Sequence, residues 1–252
     1  MKVLLRIAFL GKAYCGYQVQ PNGVTVQQKL NEAAKTLFGF DCDIVGCSRT
    51  DSGVHANEFC ATVTKKGESF LETTIPTEKI ARAMSFWLPN DISVLSAVEV
   101  DDSFHPRYDV KHKEYVYQIW NSFSRNPFLA DRSWHCPKKI DDEGFAAMKK
   151  AAEYLKGKHD FASFMAADSK IKDTVRTVFE TEVMRQGDLI VFRVCADGFL
   201  YNMVRIFVGT LLDVAYGKIQ PEDIVTIIAS CDRKNAGSTA PPEGLFLNRV
   251  VY

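Results

Sequence analysis

Between two apolar runs, Asp41 to Cys47 and Glu58 to Lys65, the chain reads Arg49-Thr50-Asp51-Ser52-Gly53-Val54-His55. This short segment combines a cation, a carboxylate, hydroxyls, a glycine and an imidazole. A loop carboxylate beside a cation is equipped to act as a nucleophile or to stabilise charge while a bond breaks. Asp-Ser-Gly is equally ordinary turn chemistry, and a surface Arg–Asp pair contributes only about 0–1 kcal/mol. The residues alone fit both readings. A glycosidase would need a second acid working with the first, and none stands beside Asp51 in the sequence.

Arg205 draws attention for a different reason: it is a charge inside the apolar stretch Met203 to Leu212, which has helical spacing. A guanidinium buried unpaired would cost several kcal/mol, so an anionic partner is expected. Tyr115 alternates with Tyr117 in a strand-like run, the usual pattern of core. His105, Arg107, Lys111, His112 and Lys113 form the densest basic stretch, with Phe104 and Tyr108 interleaved. That mixture suits phosphate contacts with base stacking, and equally a solvated connection between halves. No histidine pairs with an acidic ligand at i,i+4 on a helix, which disfavours a catalytic metal. Gly11 and Gly16 lack the spacing of a phosphate-binding loop.

The elements that must hold these residues follow from periodicity. Val3 to Phe9 alternates as a strand. Thr25 caps a helix with Leu30, Ala33, Ala34, Leu37 and Phe38 on one face, and Gly39 ends it. Strands follow at Asp41 to Cys47 and Glu58 to Lys65, flanking a polar loop from Ser48 to Asn57. Thr77 is expected to cap a second helix striped by Ile80, Ala83, Met84 and Trp87, with a strand at Ile92 to Val100. This β-α-β-β-α-β order is ferredoxin-like. The second half repeats the logic: a strand at Lys113 to Trp120, a helix capped by Asp141 and running to Leu155, and strands at Thr174 to Arg185 and Leu189 to Ala196 joined by a Gln186-Gly187-Asp188 turn. Helices from Phe199 to Val214 and from Pro221 to about Ala229 come next, and a strand from Leu245 to Tyr252 closes the chain. The expected fold is α+β: two ferredoxin-like halves with mixed or antiparallel sheets joined side by side and an active-site cleft between them. The halves are expected at residues 1–105, carrying the Asp51 loop, and 106–252.

Composition bounds the function. Hydrophobic residues make up 46% and charged residues 25% of 252 residues, an ordinary globular profile. The 31 basic and 31 acidic residues cancel, which argues against nucleic-acid binding by bulk charge while allowing a local basic groove. No stretch approaches the roughly 20 apolar residues that span a bilayer, and the N-terminus reads as a strand rather than a signal peptide. The 7 cysteines are an odd number without a C-x-x-C pair. Neither a zinc site nor a disulfide framework is expected, and a reducing cytoplasm is.

Arg49 to His55 resembles the R-T-D-[SA]-G-V-H signature of the TruA family of tRNA pseudouridine synthases. The likeness extends along the chain in the family's order. Tyr14-Cys15-Gly16-Tyr17-Gln18 resembles Y-x-G-[WY]-Q, and Val26-Gln27-Gln28-Lys29-Leu30 resembles V-Q-x-x-L. Leu88-Pro89-Asn90-Asp91-Ile92 resembles L-P-x-D-I, and Phe104-His105-Pro106-Arg107-Tyr108 resembles F-H-[AP]-R-[FY]. Lys113 to Tyr117 resembles [KR]-x-Y-x-Y, and Gly157 to Phe164 resembles G-x-H-D-F-x-[SA]-F. Met203-Val204-Arg205 with Gly209 resembles M-V-R-x-[IL]-V-G, and Pro242 to Leu245 resembles [PA]-x-G-L.

The resemblance implies an isomerase that converts uridine to pseudouridine in the tRNA anticodon stem-loop, at positions 38, 39 and 40, without cofactor or metal. It implies Asp51 as nucleophile, Arg205 as its ion-pair partner, Tyr115 over the base, and Arg49 at the space a flipped base vacates. RNA contacts are implied for Phe104, His105, Pro106, Arg107, Tyr108, Lys111, Lys113 and Leu245. A cytoplasmic homodimer with tRNA as partner, away from membranes, is implied as well. Two departures stand out: Ser48 replaces the usual Gly, so the start of the loop is less free to adopt positive φ, and Asn57-Glu58 replaces a Gly-Gln or similar pair.

Overall fold

The computed structural model of the chain describes residues 1–167, 169 and 171–252. Local signals build most of its elements. Thr25 Oγ1 accepts the Gln28 amide at 3.3 Å and opens helix α1, Val26–Phe38. Gly39 ends that helix at φ 80°, a left-handed conformation that favours glycine. Val26, Leu30, Ala33 and Ala34 form the buried face of α1.

Strand β1, Lys2–Phe9, buries Val3, Leu5, Ile7 and Phe9 on one face, the period-two pattern of a strand. It lies between β3, His55–Lys65, and β4, Ile92–Val100, antiparallel to both. Strand β2, Cys42–Gly46, pairs antiparallel with Ala61 to Lys65 of β3. The order β4-β1-β3-β2 is that of a ferredoxin-like sheet. Helix α2, Thr77–Phe86, packs on β4 and α1. The expected Thr77 cap is not formed. Pro76, with φ −56°, occupies the cap position, and Thr77 Oγ1 turns to Met1 Sδ instead. Ile80 and Met84 are buried as the stripe predicted, but Trp87 lies past the last helical residue and is 52% exposed.

Two units emerge from the contacts: Met1–Lys111 with Phe246–Tyr252, and His112–Leu245. In the first, the closing strand of the chain, Leu245–Val251, lays Phe246 and Leu247 parallel to His55 and Ala56 of β3.

The second unit holds strand β5, His112–Trp120, helix α3, Asp142–Glu153, and strands β7, Gly157–Asp160, β8, Val175–Gln186, and β9, Leu189–Ala196. Its antiparallel order is β5-β9-β8-β7, and β6, Trp134–His135, runs parallel to the end of β5. Gly187, at φ 58°, makes the tight turn between β8 and β9. Asp141 Oδ1 accepts the Gly144 amide at 2.7 Å and caps α3. Helix α4, Met203–Ala215, begins later than its apolar run predicts, because Asn202 sits in the left-handed region at φ 61° and interrupts helical geometry. Helix α5 is Asp223–Ser230 and the final strand is β10, Leu245–Val251. Helix α3 packs on α4 and β8, and Phe161, Phe164 and Phe207 form an aromatic cluster beneath them. Across the strands, Arg193 joins Glu114 at 2.8 Å, Glu180 at 3.2 Å and Glu182 at 2.9 Å. The architecture is α+β.

Candidate active site

Backbone hydrogen bonds and the Ser52 hydroxyl hold the Asp51 loop. Tyr17 N donates to Thr50 O at 3.2 Å, Val54 N to Asp51 O at 3.2 Å, and Ser52 Oγ to Tyr14 O at 3.2 Å. Gly11 and Gly16 explain how two loops approach so closely. A Cβ on Gly11 would fall 1.9 Å from Val54 O, and one on Gly16 would fall 2.5 Å from Thr50 O. Gly16 and Gly53 also take φ of 80°, which glycine adopts without strain. The loop from Gly11 to Tyr17 therefore cradles Thr50 to Val54. It is tied down in turn: Tyr14 OH donates to Asp91 Oδ1 at 2.6 Å, Leu10 N donates to Asp91 O at 2.9 Å, and Tyr17 stacks on Phe59 with centroids 4.2 Å apart. Three separated motifs thus converge in the first unit, around Tyr14, Asp51 and Asp91. Asp51 is half-buried, Thr50 is buried and Arg49 is exposed.

Of the two sequence departures, the Asn57-Glu58 pair has visible partners. Ser48 begins the loop half-buried, and Asn57 Nδ2 donates to Asn248 Oδ1 of β10 at 2.8 Å. Glu58 pairs with Arg6 at 2.6 Å across β1 and β3. His55 is the first residue of β3 and fully buried, not part of the polar loop predicted from the sequence.

The basic, aromatic stretch is a folded connector. His105 Nδ1 accepts the amides of Arg107 at 3.1 Å and Tyr108 at 3.3 Å, and its ring stacks on Tyr108 at 4.2 Å. His105 N donates to Asp109 Oδ2 at 2.8 Å. Phe104 meets Tyr252 edge-on at 4.8 Å, and Tyr252 OH donates to the carbonyl of buried Pro106 at 2.8 Å. Lys2 Nζ reaches the carbonyls of Asp102 and Phe104. With the turn so fastened, Arg107, Tyr108 and Lys111 are exposed.

In the second unit, β5 buries Tyr115, Tyr117 and Ile119 on one face, as alternation predicts. Tyr115 is 7% exposed and meets Phe199 edge-on at 4.9 Å, so little of it is open. Tyr117 OH donates to Pro241 O at 2.7 Å. Arg205 is half-buried on α4, where Nε donates to Ala240 O at 2.7 Å and a terminal nitrogen donates to Asn202 Oδ1 at 2.7 Å. Ala240 N returns a bond to Arg205 O at 3.1 Å. Lys113 is half-buried in β5, and Leu245 is buried at the start of β10. Of the residues singled out in the sequence, Arg49, Asp51, Phe104, His105, Pro106, Arg107, Tyr108 and Lys111 belong to the first unit. Lys113, Tyr115, Arg205 and Leu245 belong to the second.

Three of the buried thiols are poor candidates for chemistry. Burial pushes Cys42 up to about 11, and Cys60 and Cys136 up to about 12, so all three stay protonated at neutral pH. Among the described residues no cluster of His, Cys, Asp and Glu could hold a metal ion. No described helix is long and apolar enough to cross a membrane.

Residues 151–252 match a family model described as tRNA pseudouridine synthase. That match spans under half of the chain and points to a class, the pseudouridine synthases, which are isomerases. A protein named "tRNA pseudouridine synthase A" from Thermoanaerobacter sp. (strain X514) is 42% identical over 250 residues, covering 99% of each chain. One of the same name from Acetivibrio thermocellus is 42% identical over 251 residues, again 99% of each. Another from Exiguobacterium sp. is 41% identical over 254 residues, covering 100% of this chain and 98% of its own. The chain belongs to the tRNA pseudouridine synthase A family. A chain of a solved Cbf5-Nop10-Gar1 complex aligns at a TM-score of 0.36 and 13% identity over 97% of this chain and 58% of that one, too loosely to carry an argument.

Proposed function

We propose that this tRNA pseudouridine synthase acts in the anticodon stem-loop, at positions 38, 39 and 40, with Asp51 as its nucleophile. The observation that carries the reading is the cradled Asp51 loop, whose backbone is held by hydrogen bonds on both sides of Asp51. The isomerisation breaks the bond from ribose C1′ to uracil N1, turns the base and joins C1′ to C5, while C5 loses one proton and N1 gains one. Atoms and electrons are conserved, so no cofactor or metal is called for. Asp51 works as the carboxylate, and a neighbouring cation favours that form. The family resemblance gives this role to Arg205. Tyr115 stands against the base, by stacking or by taking the C5 proton. A uridine in a stem must leave the stack to be reached, and Arg49 fills the space it vacates.

Exposed Arg107, Tyr108 and Lys111 suit contact with phosphates and unpaired bases, with Phe104, His105 and Pro106 shaping the turn that presents them, and Lys113 and Leu245 are proposed as further RNA contacts. The protein is proposed to be a cytoplasmic RNA-binding homodimer. Phe123 and Phe128, 89% and 81% exposed on one loop of the second unit, support an apolar contact between copies. Purified protein is expected to show twice the 28.3 kDa chain mass by light scattering, and Phe123→Asp with Phe128→Asp to shift it to the monomer. A wild-type monomer at micromolar concentration removes the dimer.

The decisive experiment maps pseudouridine in total tRNA, from a strain lacking the activity, after incubation with purified enzyme. New pseudouridine confined to positions 38, 39 and 40 is the expected result. Modification elsewhere, with none in the anticodon stem-loop, overturns the assignment of the target.

A further inference from the structure

We infer that His55 is a positioning residue, whose Nδ1 fastens the Gly11 loop against the Asp51 loop and thereby sets the carboxylate's place. The inference rests on the reading of that loop as catalytic. His55 is fully buried at the head of β3. Its Nδ1 accepts the Gly11 amide at 2.9 Å, within buried surroundings. Its ring stacks on Phe246 of β10 at a centroid separation of 4.7 Å and an interplanar angle of 28°. The hydrogen bond exists only for the neutral imidazole with its proton on Nε2, because a protonated Nδ1 would face the amide donor to donor.

Gly11 is the point where this matters. Its Cα lies so close to Val54 O that a Cβ would stand 1.9 Å from it. Moving Gly11 therefore moves the Gly53–Val54 backbone, only two residues beyond Asp51. At the far end of the same cradle, Tyr17 N and Thr50 O hold the residue before Asp51 at 3.2 Å. His55 itself follows the loop directly, so one imidazole joins the loop's exit, its cradle and the closing strand. A displacement of about 1 Å at a reacting group lowers rate by up to roughly a hundredfold. A buried amide left without an acceptor supplies the drive for such a shift.

The test compares His55→Asn with His55→Leu. Both lose the stacked ring and have nearly the same shape, but only Asn keeps an acceptor near the place of Nδ1. Turnover is measured on tRNA well below both melting temperatures. His55→Leu is expected to show kcat about ten- to a hundredfold below His55→Asn, with KM and tRNA affinity alike in the two. Equal kcat values overturn the proposal, since a purely structural loss would strike both variants the same way. Asp51→Asn, assayed alongside, separates the two ideas. If it is inactive while His55→Asn and His55→Leu match, only the positioning role falls. If it is fully active, the catalytic reading of the loop falls. Should neither histidine variant fold, 15N NMR of the wild-type side chains decides. The expected signal at neutral pH is the tautomer protonated on Nε2, and an Nδ1-protonated or charged His55 overturns the assignment.

Discussion

Asp51→Asn is expected to reduce pseudouridine formation by at least about 10³-fold while leaving tRNA affinity within about twofold of wild type. The amide has the size of the carboxylate and keeps an acceptor, so the loop should retain its shape. Its bonds support this, because Val54 N to Asp51 O, Tyr17 N to Thr50 O and Ser52 Oγ to Tyr14 O do not use the Asp51 carboxylate. What is lost is the negative charge, and with it both nucleophilic attack and stabilisation of a cationic sugar. Binding should survive because tRNA affinity comes mainly from phosphate contacts, to which an acidic group contributes nothing favourable. Single-turnover assays with saturating enzyme check the rate, and filter binding checks the affinity. A variant that still converts tRNA at near wild-type rate removes Asp51 from the chemistry.

Gly209→Ala in α4 is expected to destabilise the second unit by about 2 kcal/mol or more, against the direction that helix propensity gives. Propensity alone favours Ala over Gly in a helix interior by about 1 kcal/mol. The local geometry reverses this. A Cβ at Gly209 would lie 1.8 Å from Ser238 O and 2.8 Å from Ser238 C, which are backbone atoms and cannot swing aside like a side-chain tip. The neighbouring contact is equally tight, with a Cβ on Gly237 falling 2.6 Å from Thr210 N, while Gly237 N donates to Thr210 Oγ1 at 2.9 Å. Overpacking of this kind costs about 1–3 kcal/mol and more where backbone must shift. For a chain of this length a loss of about 2 kcal/mol lowers Tm by roughly 4–8 °C. Activity should fall as well. The segment that must move ends at Ala240, whose carbonyl and amide both bond to Arg205 one turn earlier on the same helix. Calorimetry reads the first effect and the tRNA assay the second. A variant as stable as wild type would mean that Gly237 to Ala240 yields to the new methyl.

Much of this was legible in the sequence. The Thr25 and Asp141 caps, the Gly39 stop, the Gly187 turn and the alternation in β1 and β5 are local patterns, and the structure places them where periodicity does. The motif order and the full-length likeness to pseudouridine synthases were legible too, since they reside in residue identity. Local patterns misled where geometry outside the pattern intervened. Pro76 displaced the Thr77 cap, Asn202 cut short the apolar run before α4, and Trp87 fell beyond the end of its helix.

The sequence by itself determined the α+β class, most element positions and the candidate chemistry of Asp51. Only the tertiary structure decided that Gly11 abuts Val54, that Gly209 abuts Ser238, and that Phe246 and Leu247 run beside His55 and Ala56. These are approaches of backbone to backbone between distant parts of the chain. Peptide groups are the same at every residue, so such contacts leave no mark in the sequence except a missing side chain. A glycine marks either a positive φ, as at Gly39, or a close approach, as at Gly11, and the fold alone shows which.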